Sequence, residues 1–184
     1  LKRIVVEVAR DWCVLSADDP RVARMASHSP GSPIYVALDP KNPRLARHLR
    51  ARGKAVVADA GGADRPAGPA GPAGDIALHF YDGEERTPLL RARQIPATLD
   101  GCAAHNVANA MFAAAIAYGL GVGFETIRRG LRSFQTDFGT APGRLNLFDG
   151  LPFRVLLDYA HNAHAMEAIG RTVKALPVTG RRIA

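Results

Sequence analysis

The first third of the chain alternates short β-branched runs with helix-forming stretches, and this alternation restricts the possible folds. Two aspartates followed by Pro20 are a signal for the start of a helix, which predicts a helix over residues 20–25. Gly53 is a signal for the end of a helix, which predicts a second helix over residues 42–52. Strands that alternate with helices form parallel sheets covered by helices. The sequence therefore predicts an α/β fold whose first strands cover residues 13–15, 34–38 and 55–58.

The rest of the chain reads as a further mixture of strands and helices. The run 103–118 is rich in alanine and has helical spacing of its larger apolar residues. A glycine- and proline-rich stretch at 61–74 has no core-forming residue and predicts a loop. The other predicted elements are a strand at 4–8, a hairpin at 75–90, helices at 125–134 and 163–176, a strand at 153–157 and the start of a strand at 180–184.

The overall composition is that of an ordinary globular protein. The 184 residues are 47% hydrophobic, and no apolar run approaches the roughly 20 residues that span a bilayer. Two cysteines, Cys13 and Cys102, are too few for a disulfide framework or a four-ligand zinc site. We therefore expect structural thiols, a cytoplasmic location and no membrane segment.

The net charge of +7 comes mostly from arginine. The arginines are spread along the chain, with modest clusters at 44–52 and 128–132. No aromatic residues interleave with them, as a stacking platform for bases would require. The composition therefore argues against nucleic acid as a partner.

A first polar cluster begins the alanine-rich helix. Asn106 and Asn109 are three residues apart and share a helix face. An amide side chain offers both a donor and an acceptor, which suits the edge of adenine. The alternative is that Asn106 caps the helix and Asn109 is a solvated surface residue.

A second cluster is the turn at 142–144. Proline and glycine define the turn and project the guanidinium of Arg144, which could bind a phosphate through two hydrogen bonds. Exposed arginines also follow many turns that bind nothing, so the tripeptide alone does not decide between the two.

A third cluster, at 158–162, follows a predicted strand, and ligands of α/β sheets lie beyond the carboxyl ends of strands. Asp158 could accept hydrogen bonds from ribose hydroxyls, with His161 and Asn162 facing a nucleotide or an acceptor substrate. The alternative is a polar strand-to-helix turn in which Asn162 is the cap.

Several catalytic motifs are missing from the sequence. The one Gly-Lys pair, Gly53-Lys54, is followed by Ala55, so no Gly-x-x-x-x-Gly-Lys-Ser/Thr phosphate loop is present. No Gly-x-Ser-x-Gly nucleophile turn occurs, and His28, His48 and His79 have no metal-ligand spacing. The sequence therefore assigns neither a catalytic residue nor a metal ligand.

Taken in order, the motifs resemble the Mur-ligase family of ATP-dependent amide ligases, and most closely its cyanophycin-synthetase branch. Each motif is weak alone, but their order and spacing along nearly the whole chain make the resemblance strong. The matching segments are residues 15–20, 95–101, 105–110, 130–134, 142–146 and 158–162.

The resemblance implies two domains. Residues 1–141 would be part of a central ATP-binding domain, with a mainly parallel sheet and helices, and residues 142–184 the start of a Rossmann-like carboxyl-terminal lobe. The family's phosphate loop and magnesium ligands would precede Leu1, and the lobe would extend past Ala184. We therefore expect a segment of a larger ligase that is inactive alone.

The resemblance also implies ATP and Mg²⁺ as cofactors and assigns roles to the three clusters. Asn106 and Asn109 would lie beside adenine, Arg144 would contact phosphates or ribose, and Asp158 would contact ribose. His161 and Asn162 would lie nearby.

The implied reaction joins a carboxylate to an amine through an acyl phosphate. In the cyanophycin-synthetase branch the amine is arginine and the acceptor is an aspartate-backbone polymer. Another Mur-type ligase, acting on a peptidoglycan precursor or a folylpolyglutamate, is an alternative, as is a non-catalytic nucleotide-binding module. A homo-oligomer is compatible with all three.

Overall fold

A five-stranded sheet organises the protein, and the computed structural model describes residues 3–59 and 76–183. The first three strands run parallel, and the last two continue the sheet as an antiparallel hairpin. The strands, in spatial and chain order, are β1 Trp12–Ser16, β2 Ser32–Ala37, β3 Lys54–Asp59, β4 Ala77–Asp82 and β5 Glu85–Arg91. The predicted α/β fold is confirmed, and the predicted loop at 61–74 lies outside the described residues.

Two helices connect the parallel strands and cover one face of the sheet. Helix α2, Pro20–Arg24, follows β1, and helix α3, Pro43–Arg50, follows β2. The side chains of Asp19 and Asn42 cap them by accepting hydrogen bonds from backbone N–H groups of the first turn. The capping residue followed by proline, visible in the sequence, therefore starts both helices.

The opposite face of the sheet packs against helices α4, Ala104–Gly119, and α5, Phe124–Ser133. Along β2, Ile34 and Val36 face these helices, whereas Tyr35 and Ala37 face α2 and α3. All four residues are buried, as expected for a strand covered on both sides. Within residues 3–59 and 76–183, no helix is both long and apolar enough to cross a bilayer.

The C-terminal segment forms a separate small layer. Strands β6, Asn146–Phe148, and β7, Val155–Leu157, pair as an antiparallel hairpin, and helix α6, Ala163–Ala175, follows them. Helix α6 also contacts α4. This contact brings the C-terminal segment against the helical face of the main sheet.

Three local predictions differ from the structure. Residues 4–8, expected as a strand, contain the short helix α1, Ile4–Glu7, which an ion pair from Arg3 to Glu7 spans. Residues 180–183 are not a strand, and the Arg182 side chain instead donates hydrogen bonds to carbonyl groups at the end of α6. Strand β6 was not predicted, because its three residues carry no recognisable period.

Candidate functional site

A cleft of about 880 Å³ lies between α4, α5, α6 and the turn at 136–145. Its wall on α4 is made largely of small alanine side chains, which leave a smooth apolar surface. A cavity of this size, with an apolar wall and a few polar groups, is typical of a small-molecule site. The alanines of this wall are Ala110, Ala113, Ala114 and Ala117.

Four of the six predicted site residues line this cleft. Asn106 and Asn109 project from α4, Arg144 comes from the turn, and Asp158 follows β7. The structure therefore brings together residues that are up to 52 positions apart in sequence. His161 and Asn162 do not line the cleft.

A hydrogen-bonded turn at residues 98–103 precedes α4 and determines where the helix begins. Leu99, Asp100 and Gly101 all have positive φ angles, of 51°, 56° and 83°. Thr98 is fully buried, and its Oγ1 lies 2.7 and 2.8 Å from two backbone carbonyl oxygens, which share its one proton. The same oxygen accepts from the Gly101 N–H at 2.9 Å. The Thr98 carbonyl in turn accepts from the N–H of Ala103, the residue that precedes α4.

The two asparagines of α4 are coupled to this turn and to each other. Asn106 Nδ2 donates to the Ala97 carbonyl at 2.7 Å, and Asn106 Oδ1 accepts from Asn109 Nδ2 at 3.1 Å. The N-cap of α4 is Ala103, so the alternative in which Asn106 caps the helix is wrong. Asn106 thus orients the amide of Asn109, which is exposed.

The turn that carries Arg144 is built around a buried amide. Asn146 is 1% exposed, and its Nδ2 donates to the carbonyls of Thr136 and Ala141 at 2.7 and 2.9 Å. Its Oδ1 accepts from the Gly143 N–H at 2.7 Å. These three bonds fix the loop on both sides of Arg144, a role that the sequence did not reveal although Asn146 ends the matching motif.

Two hydrogen bonds join the same turn to the end of β7. Asp158 Oδ2 accepts from the Leu145 N–H at 2.9 Å, and the Gly143 carbonyl accepts from the Tyr159 N–H at 2.8 Å. Among the described residues, the second carboxylate oxygen of Asp158 has no hydrogen-bond partner, and the exposed Arg144 makes no salt bridge. A carboxylate oxygen of Asp158 and the guanidinium of Arg144 are therefore available to contact a ligand.

His105 also lines the cleft, and no role was assigned to it from the sequence. Its Nδ1 atom is buried and lacks a hydrogen-bond partner in the described part of the chain. Burial lowers the pKa of His105, with Asp158 opposing the shift and Arg171 adding to it. A buried ring nitrogen without a partner is expected in a cleft where a bound polar ligand supplies the missing hydrogen bond.

The two remaining predicted residues have local roles. Asn162 is the N-cap of α6, and its Oδ1 accepts from the Ala165 N–H at 2.9 Å, as the alternative of a capped turn predicts. His161 is exposed, and its Nδ1 lies 3.1 Å from the Tyr159 carbonyl oxygen. His164, also exposed, lines the cleft instead.

Both cysteines are free thiols outside any reactive cluster. Cys13 is buried in the core against α2 and α3. Burial and the charge of Asp100 raise the pKa of the Cys102 thiol, which disfavours the nucleophilic thiolate. Within the described ranges, no three His, Cys, Asp or Glu side chains are grouped so that they could hold a metal ion.

The sequence is similar to cyanophycin synthetases along almost its whole length. It is 37% identical over 166 residues to the enzyme of Geminocystis herdmanii, covering 90% of this chain and 17% of that protein. It is 35% identical to the enzyme of Trichormus variabilis, covering 100% of this chain and 19% of that protein. No protein-family model matches the chain.

A second enzyme type and a solved structure agree with this similarity. The UDP-N-acetylmuramate–L-alanine ligase of Xanthomonas campestris is 30% identical, with 85% of this chain and 28% of that ligase covered. A crystal structure of MurF from Acinetobacter baumannii superposes with a TM-score of 0.56 at 20% identity, over 91% of this chain and 30% of MurF. The chain belongs to the Mur-ligase family. The chain spans about a fifth of the length of the cyanophycin synthetases that it matches.

Proposed function

We propose that this Mur-ligase segment forms the adenosine-binding part of an ATP-dependent acid–amino acid ligase of the cyanophycin-synthetase type. The observation that carries the proposal is the convergence of Asn106, Asn109, Arg144 and Asp158 on one cleft with an apolar wall. The similarity to cyanophycin synthetases, which exceeds 30% identity across the chain, supports the choice of enzyme.

The proposed reaction has two steps that balance in atoms and charge. A carboxylate oxygen of the acceptor attacks the γ-phosphorus of ATP, and ADP leaves. The amine nitrogen then attacks the acyl carbon, inorganic phosphate leaves, and the nitrogen loses a proton to give the amide. Mg²⁺, when bound, would neutralise charge on the transferring phosphoryl group.

The chemistry of the cleft fits a nucleoside. The alanine wall of α4 offers a flat apolar surface for a purine ring, and the Asn109 amide supplies a donor and an acceptor for its edge. The unpaired carboxylate oxygen of Asp158 can accept from a ribose hydroxyl. The guanidinium of Arg144 can bind a phosphate oxygen, since its charge is not neutralised by a described residue.

The domain boundary that we propose lies between residues 141 and 142. The Asn146 amide and the Asp158 carboxylate hold the turn at this boundary from its C-terminal side. Residues 1–141 would then belong to the central domain and residues 142–184 to the carboxyl-terminal lobe. Because no phosphate-loop motif occurs in the sequence, we propose that the chain alone binds nucleotide without hydrolysing it.

Within this proposal the amine is arginine, the acceptor is the side-chain carboxylate of an aspartate-backbone polymer, and the location is the cytoplasm. The UDP-N-acetylmuramate–L-alanine ligase of Xanthomonas is the observation that favours a second candidate, a ligase acting on a peptidoglycan precursor. The two candidates share the nucleotide cleft and differ in the amine and the acceptor.

Binding of a fluorescent ATP analogue to the 184-residue chain tests the nucleotide proposal. We expect saturable binding that ATP displaces better than GTP, because in this proposal the Asn109 amide contacts the base. An Asn109→Leu substitution should remove this preference. Equal displacement by ATP and GTP, or no binding, would contradict the proposed adenine contact.

A longer protein that carries this segment tests the reaction. Phosphate release from ATP should require an aspartate-backbone primer and arginine together. Release that depends instead on alanine and a UDP-sugar acid would support the peptidoglycan alternative. Nucleotide binding without release under either condition would leave the non-catalytic module as the function.

A further inference from the structure

The two side-chain amides of the cleft have a fixed orientation. Asn106 Nδ2 lies 2.7 Å from the Ala97 carbonyl oxygen. Because a carbonyl oxygen only accepts hydrogen bonds, the NH₂ group of Asn106 faces it and Oδ1 points the other way. Asn106 Oδ1 also only accepts, so the NH₂ group of Asn109, at 3.1 Å, faces Asn106 in turn. The direction of one backbone carbonyl therefore determines the orientation of both amides.

The last amide in this chain of hydrogen bonds presents an acceptor to the cleft. Asn109 is exposed and lines the cleft, and no residue in the described ranges donates to its Oδ1 atom. Adenine carries the N6 amino donor where guanine carries the O6 acceptor. A fixed Oδ1 acceptor beside one free N–H matches N6 and N7 of adenine and opposes O6 of guanine. An Asn109 amide that could rotate would instead donate to O6 and bind both bases.

The Ala97 carbonyl is held in its direction by the next residue, Thr98. The two residues share one peptide group, and its N–H, from Thr98, donates to the Ile95 carbonyl at 2.9 Å. Thr98 is 0% exposed, and its Oγ1 lies 2.7 Å from the Ala92 carbonyl oxygen and 2.8 Å from that of Ile95. The Ala97 carbonyl thus points at Asn106 because its peptide group is anchored on the opposite side.

The Thr98 hydroxyl also holds the turn that follows it. Leu99 and Asp100 have φ angles of 51° and 56°, a region that residues other than glycine rarely adopt. Two successive residues in this region persist only where the surrounding bonds impose them. The Gly101 N–H donates to Thr98 Oγ1 at 2.9 Å and closes the turn in the buried interior. Without the hydroxyl, this N–H loses its acceptor and the turn is free to relax.

We propose that Thr98 is a positioning residue that sets the preference of the cleft for adenine over guanine. Thr98 acts on the base through the Ala97 carbonyl and the two asparagine amides. The inference rests on the proposed nucleotide site and deepens it, since it assigns the choice of base to a buried hydroxyl. When the hydroxyl is removed, the Ala97 peptide group can rotate, both amide orientations become populated, and GTP is no longer rejected.

Displacement of a fluorescent ATP analogue from the 184-residue chain, by ATP and by GTP, measures this preference. The test variant is Thr98→Val, which has nearly the same shape and lacks the hydroxyl. The conservative variant Thr98→Ser keeps the hydroxyl. The matched control is Thr172→Val, because Thr172 is 1% exposed and its Oγ1 donates to the Ala168 carbonyl at 3.0 Å, outside the chain of amides. Circular dichroism checks that each variant is folded at the temperature of the assay.

We expect Thr98→Val to lower the ratio of the GTP to the ATP dissociation constant about three- to tenfold, because the fixed pairing that rejects guanine is lost. Thr98→Ser and Thr172→Val should keep the ratio of the unmodified chain. An unchanged ratio in folded Thr98→Val, or an equal loss in Thr172→Val, would overturn the inference and leave the adenine contact standing. A ratio of one in the unmodified chain would refute the adenine contact itself, and the inference with it.

Nuclear magnetic resonance of the nucleotide-free chain tests the fixed amides without a ligand, and it decides the matter if Thr98→Val does not fold. The Asn106 Nδ2 protons should exchange with solvent about tenfold more slowly than those of Asn162, whose Nδ2 has no acceptor among the described residues. Thr98→Ser should retain this protection. Equal exchange at Asn106 and Asn162 would show that the Asn106 amide rotates freely and would overturn the inference.

Discussion

The carboxylate of Asp158 accepts a hydrogen bond from the Leu145 N–H at 2.9 Å, and Leu145 has a left-handed backbone with a φ of 53°. A non-glycine residue in this region carries strain, which the bond to a charged acceptor offsets. Because Arg144 directly precedes Leu145, the same bond positions the guanidinium in the cleft. One carboxylate thus links the end of β7 to the residue proposed to bind phosphate.

Replacing Asp158 separates its structural role from its role in binding. Asp158→Ala should lower the free energy of unfolding by about 1–2 kcal/mol, because the Leu145 N–H loses its acceptor. Asp158→Asn keeps a neutral acceptor and should recover most of that stability. Both variants should bind an ATP analogue more weakly, as measured by fluorescence titration. An Asn variant with unchanged affinity would contradict the ribose contact.

Arg144→Ala should weaken nucleotide binding about tenfold without changing the melting temperature, because the side chain is exposed and forms no described salt bridge. Isothermal calorimetry with ATP and with adenosine gives the sharper comparison. The loss should appear for ATP and vanish for adenosine, which has no phosphate. Arg154→Ala, which disrupts an ion pair with Asp149 outside the cleft, is the control and should affect neither ligand.

Asn146→Ala should be the most destabilising single change in the C-terminal segment. It removes two donors to the Thr136 and Ala141 carbonyls and an acceptor from the Gly143 N–H, all in a buried position. We expect a loss of about 2–4 kcal/mol in urea unfolding. Asn162→Ala, which removes a helix cap, should cost only about 1 kcal/mol, and a larger loss at Asn162 than at Asn146 would refute this ranking.

Stability should fall as the solution is acidified from roughly pH 7 to roughly pH 5. Burial lowers the pKa values of His48, His79 and His105 from their ordinary value of 6.5. The unfolded chain then binds protons more strongly, so the stabilising contribution of each histidine is complete above pH 6.5 and declines as the pH falls below it. Urea unfolding across this range measures the slope.

His105, the half-buried histidine of the cleft, should account for part of this dependence of stability on pH. His105→Gln keeps a polar side chain that does not titrate, so it should make the pH dependence shallower than in the unmodified chain. Binding of an ATP analogue that shields His105 from protonation in the folded chain should make the slope steeper, because the unfolded chain still binds the proton. Parallel stability curves for the variant and the unmodified chain would show that His105 contributes nothing.

The sequence predicted the sheet well because its signals are local. Asp19 and Asn42 cap helices by bonding to their own first turns, and proline follows each of them. Strands β2 and β3 are buried on both faces and lack a period of two, so their short length and the turn residues around them identified them as strands. The short run at 4–8 misled because β propensity outweighed the charges at Arg3 and Glu7 that support a helical turn.

The candidate site was predictable only in part because its organisation is not local. Asn106 reaches back nine residues to Ala97, and Asp158 reaches back thirteen residues to Leu145. A periodic pattern in the sequence does not predict contacts between residues this far apart. Asn162 shows the converse: its capping bond spans three residues, and the local alternative for it was right.

The two faces of the sheet carry different parts of the molecule. The arginines of α2 and α3 lie on one side, and the cleft lined by Asp158 lies on the other. Because the sheet and its two buried core layers lie between these sides, a ligand in the cleft does not touch a molecule that contacts α2 or α3. Substitutions on one side should therefore add to substitutions on the other in their effect on stability.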